Sequence, residues 1–206
     1  NDKEKINDLV NFGDKILGKT VVVCNDSPGF LGNRVGVYAM QVAMTEAFSL
    51  GLSVEEADAV FGRPLGIPKT GIFGLYDLIG IDLMADVLKS FTTELPNSDP
   101  FHKVGKELPL INQLSADGYT GRKGKGGFFR MLKSSDVKVL ESLNYKDNTY
   151  HESTKVDLGL PDVMDVKNVI EREDVYGKYA WSIIKKTILY ASSLVPEVTE
   201  NFNDID

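Results

Sequence analysis

Asp26-Ser27-Pro28-Gly29-Phe30-Leu31-Gly32-Asn33-Arg34-Val35 is the stretch on which the reading of this chain turns. It joins a short apolar run, Val21-Val22-Val23-Cys24, to a long segment with helical spacing. Pro28 suits a first helical position, where its missing N–H has no partner to lose and its φ is preset. Asp26 or Ser27 can cap the free amides just ahead of the helix. Gly29 and Gly32 leave the first turn bare on one side, open to another backbone or a ligand. Asn33, one turn in, offers an amide donor and an acceptor at that spot. Spacing alone favours a capped helix start whose Asn33 amide simply faces water.

Working outward, residues 29–50 carry apolar side chains around more than one face, which predicts a central, largely buried helix. Glu46 inside that pattern needs a partner, because an unpaired buried carboxylate is costly. A hydrogen bond to a neighbouring helix start is expected for it in preference to a role as a general base. Gly51 ends the helix, and Ser53-Val54-Glu55-Glu56 is a capping box opening another that runs to about Phe61. Upstream, residues 3–17 have helical periodicity and residues 20–24 read as a strand buried on both faces. One helix and one strand cannot make a sheet. Residues 1–25 are therefore expected to be the last helix–strand pair of a Rossmann-type, NAD-binding domain whose body precedes them.

Downstream, residues 62–74 form a Gly/Pro-rich connector that forbids a regular helix. A helix is expected over 75–95 with Asp82 capping its second part, then a loop over 96–109 and a short helix over 110–117. Gly121-Arg122-Lys123-Gly124-Lys125-Gly126-Gly127 invites comparison with a phosphate-binding loop, but that motif needs lysine at 127. A basic turn remains. Residues 131–175 read as an extended connection with short helices near 137–143 and 163–169. Residues 176–206 read as a helix followed by the truncated start of a second helical unit. Its Ala191-Ser192-Ser193-Leu194 parallels Ala47-Phe48-Ser49-Leu50.

Composition excludes several classes. A net charge of −7 on 206 residues argues against a nucleic-acid surface. No apolar run approaches the roughly 20 residues of a membrane span, and no secretory leader is evident. The single cysteine, Cys24, cannot pair within the chain, which suits a reducing, cytoplasmic compartment and a structural thiol. The two histidines, His102 and His151, give no metal-ligand spacing, so no metal is expected. An opening Asn1 and a closing Asp206 suggest a piece of a longer protein.

Residues 18–34 resemble the domain junction of 3-hydroxyacyl-CoA dehydrogenases, the NAD-dependent enzymes of fatty-acid β-oxidation. Two more blocks fall in the family's order. One is Glu46-Ala47-Phe48-Ser49-Leu50-Gly51 with Gly62-Arg63-Pro64-Leu65-Gly66 and Asp77-Leu78-Ile79-Gly80-Ile81-Asp82. The other is Gly121 to Arg130. The resemblance implies a mainly α fold. Residues 26–130 would be the helical substrate and dimerisation domain, similar to the C-terminal domain of 6-phosphogluconate dehydrogenase. It implies oxidation of 3-hydroxyacyl-CoA to 3-oxoacyl-CoA, with the His–Glu pair and nucleotide fold on the preceding domain and this piece inactive alone. Asn33 matches the junction asparagine beside the substrate's reacting oxygens. Pro64, Leu65 and Gly66 match the wall of the acyl pocket, and Lys123 matches a lysine that approaches NAD. The connector is about five residues longer than in short members, which resembles large bacterial forms joined to an enoyl-CoA hydratase. The implied partners are acyl-CoA, the chain's own NAD-binding domain, and either a second copy or a second helical repeat.

Two other readings compete. A helical interaction module would keep this fold without its chemistry. A hydroxy-acid dehydrogenase of the 6-phosphogluconate or 3-hydroxyisobutyrate type would share the architecture, though Ser27-Pro28-Gly29-Phe30 with Asn33-Arg34 fits it poorly.

Overall fold

The computed structural model describes residues 2–106, 108–134, 137–159 and 164–205. Asn1 and Asp206, Glu107 in the expected 96–109 loop, and Val163 at the start of the expected 163–169 helix lie outside them. The fold is mainly helical, as expected. Helix α1 (Lys3–Asn11) runs on into a π-helical turn, Phe12–Ile16. Residues 17–25 follow without strand structure, which corrects the strand expected at 20–24. A strand needs a ladder partner, and Val21, Val22 and Val23 stay exposed. What ties this segment down is Asn25, whose backbone N–H donates to Val198 O at 2.9 Å and whose amide donates to Glu197 O at 3.0 Å.

Helix α2 (Phe30–Leu50) is the axis of the fold, with Ala43, Met44 and Ala47 wholly buried. Its start differs from the expected capped proline. Gly29 is the N-cap, in the left-handed region at φ 76°, with no side-chain cap, and the Phe30 N–H donates to Ser27 O. Glycine is required there: the Phe91 ring would lie 2.4 Å from an added Cβ, and a side chain at that φ is strained. At the other end Gly51 takes the left-handed C-cap at φ 72°. Both halves of the Ser53/Glu56 capping box are formed at the start of helix α3 (Val54–Val60).

The helix expected over 75–95 is two helices, α4 (Phe73–Ile79) and α5 (Ile81–Glu94), broken at Gly80 with φ 114°. Asp82 does not cap α5; it is drawn off by an ion pair with Lys123. After helix α6 (Pro109–Ala116) the expected helix near 137–143 is replaced by strand. Strands β1 (Phe129–Ser134), β2 (Val137–Asn144) and β3 (Thr149–Glu152) form an antiparallel meander, with Phe129 opposite Ser142 and Ser142 opposite His151. The sheet is anchored where Phe128 and Leu143 are buried: Phe128 meets Phe73 edge-on at 4.6 Å, and Tyr145 meets Phe48 at 4.3 Å. Each such buried ring or aliphatic side chain contributes about 1.5–3 kcal/mol.

A short helix α7 (Val166–Ile170) leads into α8 (Val175–Ser193). Helix α8 lies antiparallel along α2, since Tyr190 stacks on Tyr38 with ring centroids 3.9 Å apart and Ser182 meets Glu46. Glu46 thus gains its partners from α8, not from a helix start: Ser182 Oγ donates to it at 2.9 Å and Lys186 Nζ at 2.6 Å. Near the α2 start, Arg34 is fully buried and joins three segments. Its Nε donates to the Tyr190 hydroxyl at 2.9 Å, its Nη1 to Ser27 Oγ at 3.0 Å, and its Nη2 pairs with Asp99.

Candidate functional site

Asn33 lies one turn into α2 with its side chain exposed, and its amide makes no hydrogen bond among the described residues. The surface around it is bare. A Cβ on Gly32 or Gly36 would meet nothing within 4 Å, and Phe30 beside them is 56% exposed. An amide in that setting keeps both donor and acceptor free for a group that approaches the α2 start.

The connector with Pro64, Leu65 and Gly66 forms a 3₁₀ turn, Arg63–Leu65, closed by Gly66 at φ 74°. Pro64 is buried and its carbonyl accepts the Asp165 N–H at 3.0 Å. Met164 lies across Gly66, its sulfur 2.7 Å from where a Cβ would stand. Pro64 lines a cavity of about 1150 Å³ together with the Gly121–Gly126 turn, but Asn33, Leu65, Gly66 and Lys123 do not line it. Asn33 and the connector are therefore not brought to one cavity by this chain.

Lys123 stands on the basic turn with Nζ 2.8 Å from Asp82 Oδ1, and both side chains are about half exposed. Asp77 fixes the turn that carries it. The Asp77 carboxylate accepts the Phe128 and Phe129 N–H groups at 2.9 and 2.7 Å, and its carbonyl accepts the Arg122 N–H at 2.8 Å. Gly127 must lack a side chain for this, since a Cβ there would stand 2.0 Å from Asp77 Oδ1. A half-exposed ammonium on a turn held this firmly fits a phosphate that arrives from solvent. No glycine-rich strand-to-helix turn of the dinucleotide-binding kind occurs among the described residues.

Asp58 performs a similar task, accepting the Phe73 and Gly74 N–H groups at the start of α4. Burial pushes the Asp58 carboxyl up to about 7 and the Asp77 carboxyl up to about 6, against the pull of the backbone donors each accepts. An unfolded aspartate titrates near ~3.9. From that pH up to about 7 the folded chain thus holds more protons than the unfolded one, and its stability falls as pH rises. The opposite sign holds for Asp82 and Asp174, kept low by Lys123 and Arg172; their support is lost only as pH drops below the ordinary carboxylate range. The melting temperature is expected to be higher at about pH 5.5 than at about pH 8. An equal or lower value at the acidic pH would contradict the burial of these two carboxyls.

The histidines are structural in position. His102 Nε2 lies 3.0 Å from Pro96 O, and His151 Nε2 lies 3.1 Å from Glu55 Oε1. Cys24 is half-buried and unpaired. No group of three or more His, Cys, Asp or Glu side chains is placed to hold a metal among the described residues, and no described helix is long and apolar enough to cross a membrane. Arg34, Asp58 and Asp77 are residues that periodicity did not single out. The available signal was a charged residue inside an apolar helical stripe, with Tyr38 one turn after Arg34.

Residues 29–131 match the family description of the 3-hydroxyacyl-CoA dehydrogenase C-terminal domain. A Rickettsia prowazekii protein, named for the trifunctional enzyme of the fatty acid oxidation complex, is 39% identical over 203 residues, which are 98% of this chain and 28% of that protein. A Bacillus subtilis protein named as a 3-hydroxyacyl-CoA dehydrogenase is 28% identical, over 96% of this chain and 25% of its own length. The human mitochondrial hydroxyacyl-coenzyme A dehydrogenase is 32% identical, over 59% of this chain and 37% of its own length. The chain thus spans well under half the length of each.

Proposed function

Because this chain belongs to the 3-hydroxyacyl-CoA dehydrogenase family, we propose that it is the helical, substrate-side part of an NAD-dependent 3-hydroxyacyl-CoA dehydrogenase of fatty-acid β-oxidation. Within a longer cytoplasmic protein it would serve the oxidation of 3-hydroxyacyl-CoA to 3-oxoacyl-CoA. When bound, NAD accepts the hydride from C3. The hydroxyl proton would go to the family's His–Glu pair on the preceding NAD-binding domain, because neither His102, beside Pro96 O, nor His151, paired with Glu55, lies in a segment that matches it. Asn33 would donate its amide N–H to a reacting oxygen of the substrate, the C3 oxygen on which negative charge builds as its proton leaves. Lys123 would stand near the cofactor's phosphates, and Pro64, Leu65 and Gly66 would border the acyl chain.

The observation that carries this reading is the free Asn33 amide on a bare, exposed helix start. The antiparallel seating of α8 on α2 supports the further reading that a second helical unit covers the first within one chain. The test is NADH formation from 3-hydroxybutyryl-CoA. The protein carrying the preceding domain should turn over, and the 206-residue chain alone should not. Turnover by the chain alone, or none by the longer protein, would overturn the assignment.

A further inference from the structure

The cavity beside the basic turn is lined by six cations and four carboxylates, on a chain whose net charge is −7. The four acids are already engaged. Asp58 and Asp77 each accept two backbone N–H groups, Glu55 meets His151, and Asp157 accepts the Gly159 N–H. Three of the cations are engaged as well: Arg63 has a partner, Arg130 pairs with Glu141, and Lys125 donates to Asp117 O. Lys69 and Lys155 are exposed and make no side-chain hydrogen bond or ion pair among the described residues. Arg122 is exposed too, its guanidinium sensed only electrostatically by Asp77. Two cations without a partner among the described residues, and a third that feels only Asp77, therefore line one hollow from three separate segments. Beside them the cross-strand pair Met131 and Leu140 lines the same hollow while 52% and 44% exposed.

Cations without partners select an anion, and an apolar wall next to them selects a ligand with a flat or apolar body. We propose that this cavity binds a phosphorylated small molecule of nucleotide type, its phosphates against Lys69, Arg122 and Lys155 and its body against Met131 and Leu140. Lys123 takes no part, since it points to Asp82 and not into the cavity.

Calorimetric titration of the 206-residue chain at low salt tests this with ADP, adenosine 3′,5′-bisphosphate and pyrophosphate as probes. At least one nucleotide should bind more tightly than pyrophosphate, which lacks the body. The Lys69→Gln/Lys155→Gln double variant should weaken it by about tenfold for each cation lost, and raised salt should weaken it further. Lys178→Gln, on the exposed face of α8, should leave it unchanged. Tighter binding of the bisphosphate identifies a coenzyme A-type end, and equal or tighter binding of ADP a pyrophosphate-type ligand. No saturable binding up to about 10 mM, or affinity unchanged in the double variant, would overturn the proposal. Binding is read without turnover, so this result is separate from the outcome of the dehydrogenase assay.

Discussion

Arg34→Met is expected to destabilise the chain by about 3–5 kcal/mol, a large part of the 5–15 kcal/mol that holds a typical domain folded. Methionine fills much of the same volume, so the loss would be electrostatic and not a cavity. Arg34 is wholly buried, and Asp99, Tyr190 and Ser27 all lose their donor with it. Asp99 matters most: it is nearly as buried as Arg34 and would be left as an anion without a cation. Its other oxygen caps the Pro100–Lys103 turn by accepting the Phe101 N–H at 2.8 Å. Adding Asp99→Asn, which keeps that acceptor and removes the charge, should recover part of the loss. Urea unfolding of both variants checks this through a double-mutant cycle. A loss below about 1 kcal/mol for Arg34→Met alone would mean that this network does not bind α2 to α8.

Asp77→Ala is expected to cost about 2–6 kcal/mol, from two backbone donors left without an acceptor at about 1–3 kcal/mol each. Phe128 is completely buried, so water cannot replace the lost oxygen there. The effect should be local as well as global. The basic turn would keep the Arg122 N–H bond to the residue 77 carbonyl but lose the side-chain ties beyond it, and hydrogen exchange at the Phe128 and Phe129 amides should quicken far more than exchange within α2. Asp77→Asn, which retains one carbonyl oxygen, should fall between the variant and the parent. Unchanged exchange at both amides in Asp77→Ala would show that the turn is held by something other than this carboxylate.

Helices were legible in the sequence wherever the determinants were local. The α2 and α8 stripes, the Ser53/Glu56 capping box and the Gly51 terminus each follow from neighbours within one or two turns. The sheet was not legible, because Val137–Asn144 gains its strand character from pairing with Phe129–Ser134, and its spaced aliphatics also fit a helical turn. Residues 20–24 differ in the opposite direction: their β-branched run favours a strand, but no ladder partner meets them among the described residues. The break at Gly80 is likewise tertiary, since an α5 start displaced from α4 lets Lys123 reach Asp82 across the glycine.

For the candidate site, Asn33 and Lys123 were singled out by motif resemblance alone, and the exposure of both is what the structure adds. The charged cavity was hidden because its cations lie near 69, 122 and 155, each resembling an ordinary solvated side chain in its own segment.

The central claim is that Asn33 serves the reaction and not the fold. Its most direct measurement compares kcat and melting temperature for Asn33→Ala in the longer protein that carries the NAD-binding domain. Loss of an amide that steadies developing charge should lower kcat by about 10²–10³-fold, while an exposed amide without intramolecular partners should leave stability within about 0.5 kcal/mol. An unchanged kcat, or a loss of activity matched by an equal loss of stability, would contradict it.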